Sequence, residues 1–191
     1  MPNMKPGERK LQILQALAEM LENPKGDRIT TAALAAKLEV SEAALYRHFA
    51  SKAQMYEGLI EFIETSVFTL VNKIAQNEES GRRQVLAMAG VLLDFAEQNQ
   101  GMTRVLIGDA LVNEDDRLQQ RMNQFVERIE LAFRQSWKLA ATQGAVPESE
   151  AAARASLMIA FVIGRWHRFA KSGFQIKPSD GAMLQMALLA G

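Results

Sequence analysis

An all-α fold is predicted by three features of the sequence. Apolar residues return at steps of three and four through nearly every segment, the interval that lines one face of a 3.6-residue helix. No stretch alternates apolar and polar residues as a half-buried strand does. Side chains that cap helix starts, Thr30 or Thr31, Ser41 and Asn113, stand directly before periodic runs. The 191 residues, 48% of them apolar, suffice for one or two helical domains with a sizeable core.

Residues 1–7 read as disordered. Leu11, Leu14, Leu17, Ala18 and Leu21 then mark an amphipathic helix that ends before Asn23-Pro24-Lys25-Gly26. Two short helices follow, residues 31–38 packing through Leu34, Ala35 and Leu38, and residues 42–49 packing through Leu45 and Phe49. Alanine at 32, 33, 35 and 36 favours helix and lets the second helix approach the first closely. Val40 plugs the corner between them. Glu39 stands where such turns often use glycine, and a left-handed non-glycine residue costs roughly 1–2 kcal/mol, so a strained or wider turn is expected.

A longer helix begins after Ser51, with Met55, Leu59, Phe62, Ile63, Val67, Leu70 and Ile74 on its apolar face, and a loop at 77–81 ends it. Val85, Leu86, Met88, Ala89, Leu92, Leu93 and Ala96 define the next helix, closed by Asn99-Gln100-Gly101. A short helix at 102–112 precedes Asn113, the expected cap of a long charged helix at 114–142. Its apolar positions Leu118, Met122, Phe125, Ile129, Phe133 and Trp137 suit either a coiled-coil-like pair or a bundle helix with one solvated face. After a turn, residues 149–171 are apolar nearly all round, through Leu157, Met158, Ile159, Phe161, Val162, Ile163, Trp166 and Phe169. Such a helix must be covered on every side. A homodimer interface shared with a last helix at 180–190 supplies the cover, with Ala160 and Gly164 permitting close backbone approach.

Several function classes are disfavoured by what the chain lacks. Without cysteine it has no disulfide or thiolate chemistry, which fits a reducing cytoplasm. No N-terminal signal pattern appears, and the longest apolar run, residues 155–164, is about half of the roughly 20 residues that cross a bilayer. A membrane protein is therefore not expected. The two histidines, His48 and His167, lie far apart, and no Gly-rich phosphate loop is present. No enzyme activity, metal or cofactor is expected. Net charge is zero, but eight Lys/Arg against six Asp/Glu give residues 1–52 a charge of +2, with Lys5, Arg9 and Lys10 as a candidate basic arm.

With Leu45 and Phe49 turned inward, Glu42, Ala43, Tyr46 and Arg47 fall on the outer side of their helix. A helix pair of this kind can hold one helix in the major groove of DNA. Arg47 could then donate two parallel hydrogen bonds to guanine, Glu42 accept from cytosine, and the Ala43 methyl touch a thymine methyl. Thr31, Tyr46, His48 and Lys52 suit phosphates around the rim. Capped amphipathic pairs also occur in bundles that bind no nucleic acid, so spacing alone leaves both readings open.

The run SEAALYRHFASK, residues 41–52, resembles the DNA-binding domain of TetR-type regulators. That resemblance implies a three-helix helix-turn-helix head at 1–52 and a larger helical dimerisation and partner-binding domain at 53–191. It implies phosphate contacts from Tyr46, His48 and Lys52 and base contacts from Glu42, Ala43, Ala44 and Arg47. Thr30, Thr31 and Ser41 complete the candidate set on a palindromic double-stranded site.

The longer runs RITTAALAAKLEVSEAALYRHFASK, LIEFIE, NQGMTRVL, DRLQQRMNQFVERIE and RFAKSGFQIKPSD resemble one subfamily, the nucleoid occlusion regulators. These bind chromosomal sites and antagonise polymerisation of the tubulin-like division protein FtsZ, which implies a cytoplasmic, nucleoid-associated protein. Glu39 and the stretch 67–91 depart from the pattern, the first bearing on turn geometry and the second on the partner surface. Phe62 and Asn99 are the candidate partner contacts, one as apolar anchor and the other as polar fixing; Phe62 as core is equally open. The alternative is a TetR-type repressor whose body opens for a small apolar effector, lined from ten methionines and nine phenylalanines.

Overall fold

The computed structural model describes residues 6–23 and 29–191. Among them are nine α-helices: α1 (Pro6–Leu21), α2 (Thr31–Lys37), α3 (Glu42–Tyr46), α4 (Lys52–Asn77), α5 (Gly81–Gln98), α6 (Gln100–Leu106), α7 (Asp116–Thr142), α8 (Ala151–Lys171) and α9 (Ala182–Ala190). The described residues contain no strand, and the all-α reading holds. Residues 1–5, with Lys5 of the expected arm, and residues 24–26 of the expected turn lie outside the described residues.

Helix starts are set by hydroxyls. Thr30, Ser41, Ser51 and Ser80 accept from the backbone N–H of Ala33, Ala44, Gln54 and Arg83. Each such cap contributes about 1 kcal/mol. Gly7, expected in a disordered tail, instead lies in the first turn of α1 behind Pro6, whose fixed φ suits that position. Asn113 is not the cap of α7. It adopts a left-handed φ of 64°, which asparagine tolerates better than most residues, and Asp115 caps the helix by accepting from the Arg117 N–H. The displacement begins upstream, where α6 stops at Leu106, Gly108 turns left-handed at φ 77°, and a short 3₁₀ turn, Asp109–Leu111, follows. A second 3₁₀ turn, Glu148–Glu150, and Gly181 at φ 66° likewise delay α8 and α9 by two residues each.

The body packs α7 against α8 and α5, with α4 lying on α5 and α7. Trp137, Trp166, Phe125 and Phe133 fill its centre and are fully buried. The methionines Met88, Met122 and Met158 are core as well, each 1% exposed. Two of the polar groups carried inside are paired, the Trp166 indole N–H donating to the Leu92 carbonyl at 3.0 Å and Ser136 to Gln84 at 2.8 Å, whereas the buried Trp137 indole N–H has no hydrogen-bond partner among the described residues. The α7 row from Leu118 to Trp137 is buried within the chain. Arg121 also clamps α7 to α4 through Glu64 at 2.7 Å.

Two of the places where the head is held against the body lie on α6. Arg104 of α6 donates to the carbonyls of Leu21 and Asn23, at 3.3 and 3.0 Å, at the end of α1, and pairs with Asp109 at 3.0 Å. Asp109 also meets Lys171 of α8. Burial works to raise the Asp109 pKa, but hydrogen bonds from Lys171 and Arg104, with their charges, outweigh it and hold the carboxyl below its usual value. At the second place Gly101 lies against α1, where a methyl group would overlap the Ala18 carbonyl. Gly101→Ala is therefore expected to cost about 1–3 kcal/mol, the range for an overpacked site whose obstacle is backbone. The check is a denaturant midpoint, read beside Gly90→Ala, whose added methyl meets open space and should leave stability unchanged or slightly raised.

Along α8 and α9 the chain leaves an apolar face uncovered. Leu157 of α8 and Met183, Leu184 and Leu188 of α9 are 56%, 84%, 70% and 74% exposed. Ala160 and Gly164 open onto solvent as well. Beneath α9, the buried Arg165 fixes the preceding turn by donating to the carbonyls of Pro178 (2.9 Å), Lys177 (3.2 Å) and Asp180.

Candidate nucleic-acid interface

The turn between α2 and α3 closes through backbone hydrogen bonds, Glu39 N–H to the Ala36 carbonyl at 3.1 Å and Val40 N–H to Ala35 at 3.0 Å. Glu39 takes a left-handed φ of 53°, so the turn accepts the strain expected of a non-glycine residue there. Leu34, Ala35, Leu45 and Phe49 are buried beneath the pair. The second helix is shorter than expected, ending at Tyr46. Arg47 and His48 form a closing turn, because the chain must reverse within a few residues to reach the Ser51 cap of α4.

Glu42, Ala43, Tyr46 and Arg47 are exposed, whereas Ala44 and His48 are half-buried. Among the described residues the Arg47 guanidinium has no hydrogen-bond or ion-pair partner, so five donors are free on the exposed turn that closes α3. Thr30 and Ser41 serve their helix caps as acceptors, at 3.1 and 3.3 Å, which leaves each hydroxyl proton available to an outside acceptor. Thr31 differs. It donates to the Glu42 carboxylate at 2.5 Å and accepts from the Tyr46 hydroxyl at 3.4 Å. Lys52 is paired with Glu114, ahead of α7, and its ammonium stands 5.6 Å from the Tyr56 ring centroid. Neither Glu114 nor the Glu42 tether was legible in the sequence, the first because its partner lies 62 positions away.

Phe62 is 41% exposed, which sets aside the core reading of that residue. It lines an open groove of about 320 Å³ with Lys10, Leu14, Phe49, Gly58 and Glu61. Asn99 lies elsewhere, at the α5–α6 corner, where its amide donates to the Phe95 carbonyl at 2.8 Å. A cleft of about 520 Å³ with mostly apolar walls opens between α5 and α9, lined by Leu86, Gly90, Leu93, Ala182, Met183 and Met186. No helix among the described residues is long and apolar enough to cross a membrane.

Comparison with known proteins agrees with this layout. Residues 13–59 match the N-terminal domain of bacterial regulatory proteins of the tetR family, and residues 81–190 match an SlmA-like, tetracycline-repressor-like C-terminal domain. The nucleoid occlusion factor SlmA of Alteromonas mediterranea is 48% identical over 181 residues, covering 94% of this chain and 93% of that protein. The SlmA of a Marinomonas species is 47% identical over 187 residues, covering 97% and 95%. In fold, the chain superposes on a TetR-like transcriptional regulator from Rhodococcus with a TM-score of 0.78 at 17% identity, over 98% of this chain and 96% of that one.

Proposed function

The chain belongs to the TetR family of bacterial regulatory proteins, in its SlmA-like branch, and from that premise we propose that it is a nucleoid occlusion factor. It binds palindromic chromosomal sites as a homodimer and restrains FtsZ assembly over the nucleoid, in the cytoplasm. The observation that carries this reading is the match of nearly the whole chain to nucleoid occlusion factors at 47–48% identity, joined to an exposed helix-turn-helix whose Arg47 is unpaired among the described residues. The uncovered α8–α9 face is the dimer seam.

In this reading Arg47 and the Ala43 methyl meet base edges, while the Thr30 and Ser41 hydroxyls and the half-buried His48 meet phosphates. Lys52 reaches phosphate by exchanging one anion for another, a DNA phosphate for the Glu114 carboxylate. That exchange loosens a tie between head and body, giving DNA occupancy a route to the partner surface on α4. Phe62 beside its groove supplies an apolar anchor for FtsZ, and Asn99 a separate polar contact.

Sedimentation of FtsZ polymers with the purified protein, with and without a selected duplex, tests the proposal. Polymer mass should fall, and fall further with DNA. Phe62→Ala should require about 30-fold more protein for the same loss, as for an anchor worth about 2 kcal/mol, while duplex binding stays intact. No effect on FtsZ in either condition would instead favour an effector-regulated repressor, with the α5–α9 cleft as its pocket.

A further inference from the structure

The hydroxyls on the DNA-facing edge divide into two pairs. Thr30 and Ser41 accept from backbone amides and keep their protons for an incoming phosphate. In the second pair the Tyr46 proton goes to Thr31 and the Thr31 proton goes to Glu42. The chain of donors ends on a carboxylate at the first residue of α3, on the face that meets the duplex. A phosphate arriving there finds no proton offered by either hydroxyl and meets a negative charge beside them. The head carries only +2 over residues 1–52, so one carboxylate in that position is a large fraction of its field.

We propose that Glu42 restrains binding to DNA of any sequence by withholding the Thr31 hydroxyl, and through Thr31 that of Tyr46, from the DNA backbone, and that it is not a reader of cytosine. Resting on the DNA-binding reading, this makes Glu42 a positioning residue that lowers affinity for every sequence alike. Binding sites with good base contacts, Arg47 foremost, stay occupied despite the loss and non-specific DNA does not. The ratio of specific to non-specific affinity is left as it is, and what falls is occupancy of the large excess of competing sequence.

The test compares wild type with Glu42→Ala in anisotropy titrations against a selected duplex and a scrambled one at several salt concentrations. Glu42→Ala should bind both duplexes about three- to tenfold more tightly, the scale of removing one unit charge a few ångströms from phosphate on each protomer, and the specific-to-non-specific ratio should stay as in wild type. A gain in affinity is a result that damage to the fold does not give. With Thr31→Val already in place the gain should shrink, because one of the two withheld protons is gone. Unchanged or weaker binding of the scrambled duplex by Glu42→Ala would overturn the proposal. So would an equal gain in both backgrounds, or a loss confined to one cytosine of the site. If wild type binds neither duplex, the DNA-binding reading itself fails, an outcome distinct from all of these.

Discussion

Arg47→Ala is expected to weaken binding to the palindromic site by about 1–3 kcal/mol per half-site, and so by about twice that for a dimer engaging both halves. The magnitude follows from where the side chain stands. Arg47 closes α3 on its exposed face, and among the described residues no carboxylate claims it, so its planar fork is ready to donate two parallel bonds to one guanine. Loss of one positive charge should lower affinity for scrambled DNA as well, but only by the small electrostatic share. Arg47→Lys separates the two contributions. It keeps the charge and loses the fork, so it should bind scrambled DNA as wild type does while the site-specific increment falls nearly as far as in Arg47→Ala. Titrations on matched duplexes read both quantities directly. An unchanged ratio of specific to non-specific affinity in Arg47→Ala would remove the base-reading assignment.

Local chemistry made much of this molecule legible before any coordinates. Thr30 and Ser41 cap the helices they precede, and the core buries the α7 row whole and most of the α1, α4 and α5 rows, although Leu11, Phe62 and Leu70 are exposed and Ile13 and Ile60 are buried beside them. These features depend on neighbours within a turn or two, which periodicity captures. The errors have a common cause. Asn113 and Asp115 are equally good caps by residue type, and the choice between them is made by the turns after α6, which use Gly108 and Asn113 in left-handed conformations. The length of α3 is limited by the return to α4, a demand of topology rather than of residues 42–49. Ion pairs across long separations were invisible: Lys52 with Glu114, Lys171 with Asp109 and Arg121 with Glu64 each join positions more than fifty apart. The tether from Thr31 to Glu42 spans only eleven positions, but it depends on the angle between two helices that spacing does not give.

The second large effect concerns the face that the single chain leaves bare. Helix α9 turns Ala182, Met186 and Ala190 into the core and Met183, Leu184 and Leu188 away from it. A glutamate at 188 therefore disturbs no contact that holds the protomer together, since the leucine it replaces is 74% exposed there. In a dimer seam the same carboxylate is desolvated, a penalty of several kcal/mol in real proteins, added to about 1.5–3 kcal/mol for the leucine burial lost. The symmetry of a two-fold seam repeats the defect on both protomers. Leu188→Glu is thus expected to be a monomer at micromolar concentration by sedimentation equilibrium, with helical content and thermal midpoint of the protomer preserved. One head alone loses the effective concentration that the partner head gains from the first contact, so affinity for the palindrome should fall about 100-fold or more, approaching that for an isolated half-site. Scrambled DNA should be less affected, because non-specific binding follows charge rather than register. A variant that stays dimeric would place the seam elsewhere and leave the bare face of α8 and α9 in need of another occupant. A monomer that still bound the full palindrome with wild-type affinity would show that two joined heads are not the source of its tightness.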